Sequence, residues 1–125
     1  MKPSNITLHK KSKTLEVTFA GQAYTLPAEF LRTHSPSAEV RGHGVGNEVL
    51  VFEKIEVGIT SINAVGNYGL QVHFTDGHNS GIFSWIYLQE LGRNQTALWE
   101  SYLTKLKAAN KTRDPHTNVV QFQPL

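Results

Sequence analysis

A hairpin that leads directly into a short helix, from Tyr68 to Gly92, is the feature that most constrains the fold of this sequence. Its first strand alternates apolar residues with smaller or polar ones, the period of two expected of a strand with one buried face: Tyr68, Leu70, Val72 and Phe74. Asp76-Gly77 follows and suits a two-residue type I′ turn, so a second strand is predicted from His78 to Phe83. Ser84 is then placed to cap a helix that Gly92 ends.

The register of this hairpin sorts its side chains onto two faces. Thr75 is predicted to face His78, and His73 to face Ser80. The apolar face then collects Tyr68, Leu70, Val72, Phe74 and Phe83. The opposite, polar face collects Gln71, His73, Thr75, His78 and Ser80. His73 and His78 are therefore predicted to be diagonal neighbours on the polar face, roughly 7–8 Å apart.

The rest of the chain predicts further short strands and two more helices. Alternating apolar residues indicate strands near 6–8, 15–19, 22–25, 48–52 and 55–62. Pro27 suits the first position of a helix that ends near His34, because Ser35 precedes a proline. A C-terminal amphipathic helix follows Gly92, with one apolar face formed by Leu98, Trp99, Tyr102, Leu103 and Leu106. The predicted fold is α+β, mostly an antiparallel sheet of about five to seven short strands.

Length and composition predict one ordinary domain. The 125 residues suffice for a single core. We expect the domain to span 1–110, with its last helix at about 95–110, and a flexible tail at 111–125, which has two prolines and no periodicity. There are no cysteines, so thiolate metal sites are excluded. No apolar run reaches the length of a membrane span, and we expect a cytoplasmic protein, with a monomer favoured.

The charge pattern argues against a nucleic-acid partner. Twelve Lys and Arg stand against ten Asp and Glu, which leaves a net charge of +2. Lysines cluster at two places, Lys10, Lys11 and Lys13, and again Lys105, Lys107 and Lys111. We interpret them as a solvated turn and a solvated helix end, with a salt-sensitive nucleic-acid site as the alternative.

Catalytic signals are weak. Gly42, Gly44 and Gly46 lie in a loop that is followed by a predicted strand rather than a helix, so they do not form a phosphate cradle. Asp76, His78 and Ser80 have the residue types of a hydrolytic triad, but Asp76 is needed for the turn and Ser80 lacks a nucleophile elbow. We therefore expect neither an enzyme nor a cofactor.

Three motifs in order resemble a known family. They are the LR and SPSAEVR segment at 31–41, the spaced I, VG, YG, Q, H and F residues up to Phe74, and DGHNSGIFSW at 76–85. Together, over about 6–91, they resemble the gamma-butyrobetaine hydroxylase-like N-terminal domain. That family includes small bacterial proteins of unknown function and the N-terminal domain of carnitine-synthesis oxygenases, and it also occurs attached to iron–sulfur assembly ATPases. The resemblance implies a compact domain of antiparallel sheet and short helices.

The resemblance also implies a metal site that this chain has lost. The family pattern places three zinc-binding cysteines where this sequence has Ser35, Ser37 and Val40, and His78 matches the fourth ligand. Two hydroxyls and an isopropyl group do not replace three thiolates. The expected result is a degenerate zinc site without bound metal.

Two functional hypotheses follow. The first is a non-catalytic accessory domain that binds another protein, with Trp85, Tyr87 and Trp99 interpreted as core rather than as a recognition patch. The alternative is a metal-binding protein, linked to iron–sulfur assembly or oxygenase chemistry, that uses a histidine cluster of His34, His43, His73 and His78. The accessory domain should expose grouped apolar residues, whereas the metal protein should bring at least three donors to one point.

Overall fold

The computed structural model describes residues 2–37, 49–79 and 81–117. This part of the chain is α+β, with two antiparallel three-stranded sheets and three helices, which confirms the predicted fold class. The first sheet contains β1 (Asn5–His9), β2 (Thr14–Phe19) and β3 (Gln22–Pro27). The second contains β4 (Ile59–Val65), β5 (Gly69–Phe74) and β6 (Ile82–Ser84). The helices are α1 (Ala28–Thr33), α2 (Trp85–Arg93) and α3 (Gln95–Ala108).

The first sheet is a meander in the order β1-β2-β3. Its two-residue turn at Ala20-Gly21 has positive φ at both residues, 46° and 83°, as a type I′ turn requires. The alternation in β2 buries Leu15, Val17 and Phe19 on one face. β3 extends to Pro27, which is the N-cap of α1, so the helix begins one residue later than the sequence predicts.

Helix α1 is short and buried along its whole length. All six of its residues are buried, including Glu29, Arg32 and Thr33. It ends with His34 as C-cap, as predicted. A charged side chain in such a position is stable only when a partner of opposite charge bonds to it, so Glu29 and Arg32 determine which segments can pack around this helix.

The second sheet has the predicted register but a different turn. Leu70 pairs with Phe83, as expected. However, β6 begins only at Ile82, and the predicted type I′ turn is wrong because only Gly77 in the turn has a positive φ, of 88°. The N–H of Phe74 donates to the carbonyl of His78 at 3.0 Å, and three residues form the loop. Such a loop, with its last residue left-handed, adds one residue to the hairpin as a bulge.

The extra residue changes the face on which His78 lies. Its ring packs 6.0 Å from the ring of Phe74 and is buried, whereas the sequence placed it beside His73 on the polar face. His73 stays on the sheet, with Nε2 3.0 Å from Asn63 Nδ2. The predicted pairing of the two histidines is therefore wrong, because a shift of one residue reverses the side-chain alternation. Tyr68 also departs from its predicted apolar face and is 57% exposed.

The segment before β4 is irregular. The predicted strand over 48–52 is wrong for its described residues, Val49 to Phe52, which form no ladder. Its neighbours bond to the C-terminal segment instead, because the N–H groups of Glu53 and Ile55 donate to the carbonyls of Thr112 and Arg113 at 2.9 and 3.0 Å. The first part of the predicted flexible tail thus contacts the domain, and residues 118–125 lie outside the described residues.

The two longer helices complete the core. The Oγ of Ser84 accepts from the N–H of Tyr87 at 3.1 Å, so Ser84 caps α2 as predicted. The helix continues past Gly92, the predicted end, to Arg93, and α3 starts after a single residue. Helix α3 agrees with the predicted C-terminal helix, although Leu103 on its expected apolar face is 38% exposed. Within the described ranges, no helix combines the length and apolar character that crossing a membrane requires.

Candidate functional site

A buried cluster of two serines and one histidine lies where α1 ends and the β5–β6 turn returns. The Oγ atoms of Ser35 and Ser37 lie 3.0 and 3.2 Å from Nε2 of His78. Ser35 Oγ donates to Ser37 Oγ at 3.3 Å, and all three residues are buried. The three polar atoms therefore form a compact triangle that is closed by hydrogen bonds.

The backbone on both sides brings these residues together. Pro36 follows the end of α1, and Ser37 donates its N–H to Ser35 Oγ at 3.4 Å, which folds the segment back on itself. Gly81 passes close to this fold, since a Cβ at that residue would overlap Ser35 Oγ. Only glycine permits this approach.

An anchor at Asp76 positions His78. Asp76 Oδ2 accepts from Arg32 Nε at 2.8 Å and from Lys54 Nζ at 2.7 Å. Asp76 Oδ1 accepts from the backbone N–H of His78 at 3.2 Å. Partial burial raises the pKa of Asp76, but the hydrogen bonds from Lys54, Arg32 and His78 outweigh it and lower the pKa to about 2. The turn is thus tied to α1 by a charged carboxylate.

The cluster does not fit zinc. Its donors are two neutral hydroxyls and one imidazole, whereas a structural zinc site takes four thiolate or imidazole ligands. The hydroxyls also satisfy each other and the ring. Val40, the remaining position of the family pattern, lies outside the described residues.

The histidines of the alternative hypothesis lie in separate environments. His34 Nδ1 is 2.9 Å from the carbonyl of Phe30, and burial lowers the pKa of His34. His73 contacts Asn63 and His78 contacts the serines, while His43 lies outside the described residues. Across 2–37, 49–79 and 81–117, no three His, Cys, Asp or Glu residues are grouped as metal ligands.

The rejected triad and the aromatic residues can also be placed. The Asp76 carboxylate bonds to the backbone of His78 and to two cations, and Ser80 is not among the described residues. Trp85 is buried, and Tyr87 and Trp99 are partly buried against the core, in agreement with the interpretation as core.

A second polar site, which the sequence analysis missed, lies between the helices. A cleft of about 650 Å³ is bounded by the start of α1, the α2–α3 junction and the C-terminal segment. Its lining residues are Pro27, Glu29, Phe30, Gly92, Arg93, Gln95, Thr96, Trp99, Glu100 and Arg113. The guanidinium of Arg113 bonds to Glu29 with two N–H groups. A sequence pattern gives no sign of a pair separated by 84 residues.

The family model described as gamma-butyrobetaine hydroxylase-like, N-terminal, matches residues 6–89. The chain belongs to this family. No curated protein matches the sequence. The match confirms the resemblance to the gamma-butyrobetaine hydroxylase-like N-terminal domain that the three separated motifs predict.

Solved structures agree with this assignment. Two proteins whose solution structures were determined by NMR are 50% and 46% identical to the chain, with TM-scores of 0.84 and 0.78. The first match covers 98% of both chains, and the second covers 98% of this chain and 93% of the other. A crystal structure of a protein of unknown function from Acidithiobacillus ferrooxidans, of the DUF971 family, is 34% identical, with a TM-score of 0.60. That match covers 73% of this chain and 92% of the other.

Replacing Asp76 by Asn should remove a pH-dependent part of the stability of this gamma-butyrobetaine hydroxylase-like domain. Because the pKa of Asp76 is lowered by folding, its contribution is fully present above about pH 3.8 and is lost as the pH falls towards about 2. We expect D76N to lower the free energy of unfolding at pH 7 by at least on the order of 1 kcal/mol, after allowance for solvent screening.

Urea unfolding of both proteins between pH 2 and pH 7 measures this difference. Asp114→Asn is the control, because the pKa of Asp114 is also lowered, by hydrogen bonds from His116 and Thr117, but the group is fully exposed. Parallel stability curves for D76N and the unmodified protein would contradict the anchor role.

Proposed function

We propose that the protein is a non-catalytic accessory module that binds another protein through the apolar hairpin end, defined as Tyr68, Ile82 and Ile86. The observation that carries this proposal is the exposure of these three side chains, by 57%, 39% and 68%. Large apolar side chains that are exposed singly need no explanation, whereas grouped ones are typical of an interaction surface.

The backbone places the three residues at the same end of the second sheet. Gly69 pairs with Ser84, and the N–H of Trp85 donates to the carbonyl of Tyr68 at 2.9 Å. Tyr68 directly precedes Gly69, and Ile86 directly follows Trp85. Ile82 is two residues before Ser84. A Cβ at residue 69 would lie 3.2 Å from Ile82 Cγ2, so Ile82 also reaches this end of the hairpin.

The apolar hairpin end is rigidly supported. Trp85, which directly precedes Ile86, is buried and donates its Nε1–H to the carbonyl of Asn67 at 2.9 Å. Ser84 fixes the start of α2 by its cap bond to Tyr87. A preorganised surface loses little conformational entropy when a partner binds, which favours a binding role for these residues.

The polar contacts favour a module without its own chemistry. The hydroxyls of Ser35 and Ser37 bond to each other and to the His78 ring in a buried cluster, and Asp76 is committed to Arg32 and Lys54. These groups stabilise the junction of α1 and the hairpin. The metal-binding alternative has less support, because His34, His73 and His78 each contact a different set of groups.

Protein capture with matched variants tests the binding role. We expect Ile86→Asp to weaken capture of a specific partner from an extract of the cells that encode the protein by at least roughly tenfold, since a buried carboxylate would replace an apolar contact. Leu103→Asp, at an apolar helix position that is 38% exposed and lies outside the apolar hairpin end, is the control and should capture the same partner as the unmodified protein.

The captured protein is identified by mass spectrometry after cross-linking, and its affinity is then measured with purified components. Circular dichroism verifies that both variants are folded. Equal capture by I86D, L103D and the unmodified protein would contradict a partner at the apolar hairpin end.

The serine–histidine cluster is proposed to be a zinc site that lost its thiolates and kept its shape. The mutual distances of 3.0, 3.2 and 3.3 Å between its three polar atoms support this idea. Zinc bonds of 2.0–2.3 Å place neighbouring tetrahedral ligand atoms roughly 3.5 Å apart. The three polar atoms of the cluster therefore need to move apart only slightly to match the ligand spacing of a zinc site.

Restoring the cysteines should restore zinc binding. We expect the triple variant Ser35→Cys, Ser37→Cys, Val40→Cys to bind one Zn²⁺ and to gain thermal stability with it, because metal binding adds to folding free energy. The same variant with His78→Ala is the control and should bind Zn²⁺ at least roughly tenfold more weakly. Native mass spectrometry and thermal unfolding measure both effects, and a triple variant without stoichiometric zinc would contradict the retained shape.

A further inference from the structure

The side chain of Arg113 lies in a pocket built by two helices. Its Nε donates to Glu29 Oε2 at 2.8 Å and its Nη2 to Oε1 at 2.6 Å. The guanidinium carbon lies 5.1 Å from the ring centroid of Trp99. The carboxylate comes from α1, the indole from α3, and the guanidinium from the segment that follows the last helix.

These two contacts are the ones that recognise a guanidinium group. Two parallel N–H bonds match the fork of a carboxylate, which an ammonium group cannot do. An indole face attracts the delocalised cation and excludes water from it. The side chain of Glu29 is only 8% exposed with Arg113 in place, so the carboxylate that receives the guanidinium is shielded from water in the pair.

The cleft beside this pocket has room for more than one side chain. Its volume of about 650 Å³ is in the range of ligand sites. Gln95 and Glu100 extend the polar lining along α3, and neither side chain makes a hydrogen bond within the described part of the chain. An extended peptide that places an arginine at Glu29 would find further donors and acceptors there.

We propose that Glu29 and Trp99 form a guanidinium-binding site that Arg113 fills in cis and that an arginine side chain of a partner peptide takes in exchange. This inference rests on the proposed function, because it assigns the chemistry of a protein partner. It concerns a different surface from the apolar hairpin end.

The contacts of Arg113 favour exchange of its side chain for another arginine over permanent occupation of the pocket. The side chain of Arg113 is 37% exposed, and its segment is held to the domain through the carbonyls of Thr112 and Arg113. An incoming arginine restores both bonds to Glu29, so the buried carboxylate is not left unpaired during exchange. A lysine would restore only a point charge.

Emptying the pocket tests this assignment. In Arg113→Ala, Nα-acetyl-arginine methylamide should bind saturably and shift the indole N–H resonance of Trp99. Trp85 is an internal reference because its indole N–H is bonded to Asn67 elsewhere in the fold. In the unmodified protein, Arg113 is a tethered competitor of the probe, with an effective concentration of millimolar order. The probe should therefore bind R113A at least roughly tenfold more tightly than it binds the unmodified protein.

Two comparisons define the chemistry. The double variant Glu29→Gln, Arg113→Ala should bind the arginine probe at least roughly tenfold more weakly than R113A, because the charged fork is lost. Nα-acetyl-lysine methylamide should bind R113A at least roughly tenfold more weakly than the arginine probe. Absence of a saturable Trp99 shift in R113A, equal binding of the lysine probe, or undiminished binding to the double variant would each overturn the proposal.

Folding of the variants is verified by circular dichroism, and Arg113→Lys replaces R113A if the latter is unfolded, with tighter probe binding than the unmodified protein still expected. The Ile86→Asp variant separates this inference from the proposed function. If R113A binds the arginine probe but I86D and the unmodified protein capture the same proteins equally, only the proposed function fails. If partner capture is normal and R113A ignores the probe, only the guanidinium site fails.

Discussion

The burial of two opposite charges in helix α1 is the constraint on which the rest of the structure depends. Glu29 and Arg32 lie in a helix whose six residues are all buried, so each needs a partner from another segment. Asp76 supplies one partner and thereby brings the turn of the second sheet against the first sheet and its helix. Arg113 supplies the other and brings the C-terminal segment against α1 and α3.

Each of these ion pairs creates a site next to it. The Asp76 anchor aims His78 at Ser35 and Ser37, and the resulting hydrogen-bonded triangle connects the turn to the segment after α1. The Arg113 pair occupies part of a cleft that is large enough for a peptide segment. The apolar hairpin end is a separate surface next to the buried Trp85, and it is where we propose that a partner binds.

Local patterns in the sequence predicted most of the fold. The alternation in β2 and β5, the cap at Ser84 and the helical period of α3 depend on neighbouring residues, and all three are confirmed. The errors arise where distant segments compete for the backbone. The segment from Val49 to Phe52 has strand-like residues, but its Val51 carbonyl accepts from the Tyr102 hydroxyl, and the following Glu53 bonds to Thr112. The turn at Gly77 contains one residue more than predicted. The contacts of Ser35 and Ser37 with His78 followed from the family resemblance, whereas the partner of Glu29 lies 84 residues away and has no local signal.

Proton exchange at the arginine side chains tests the central claim most directly. In ¹⁵N-edited spectra, the Nε–H groups of Arg32 and Arg113 should exchange slowly with water, because each donates to a carboxylate at 2.8 Å. Arg93, which is exposed at the end of α2, is the reference and should exchange at the rate of a solvated guanidinium. Exchange of Arg32 and Arg113 as fast as that of Arg93 would show that the buried charges of α1 are not paired as described, and would contradict the account.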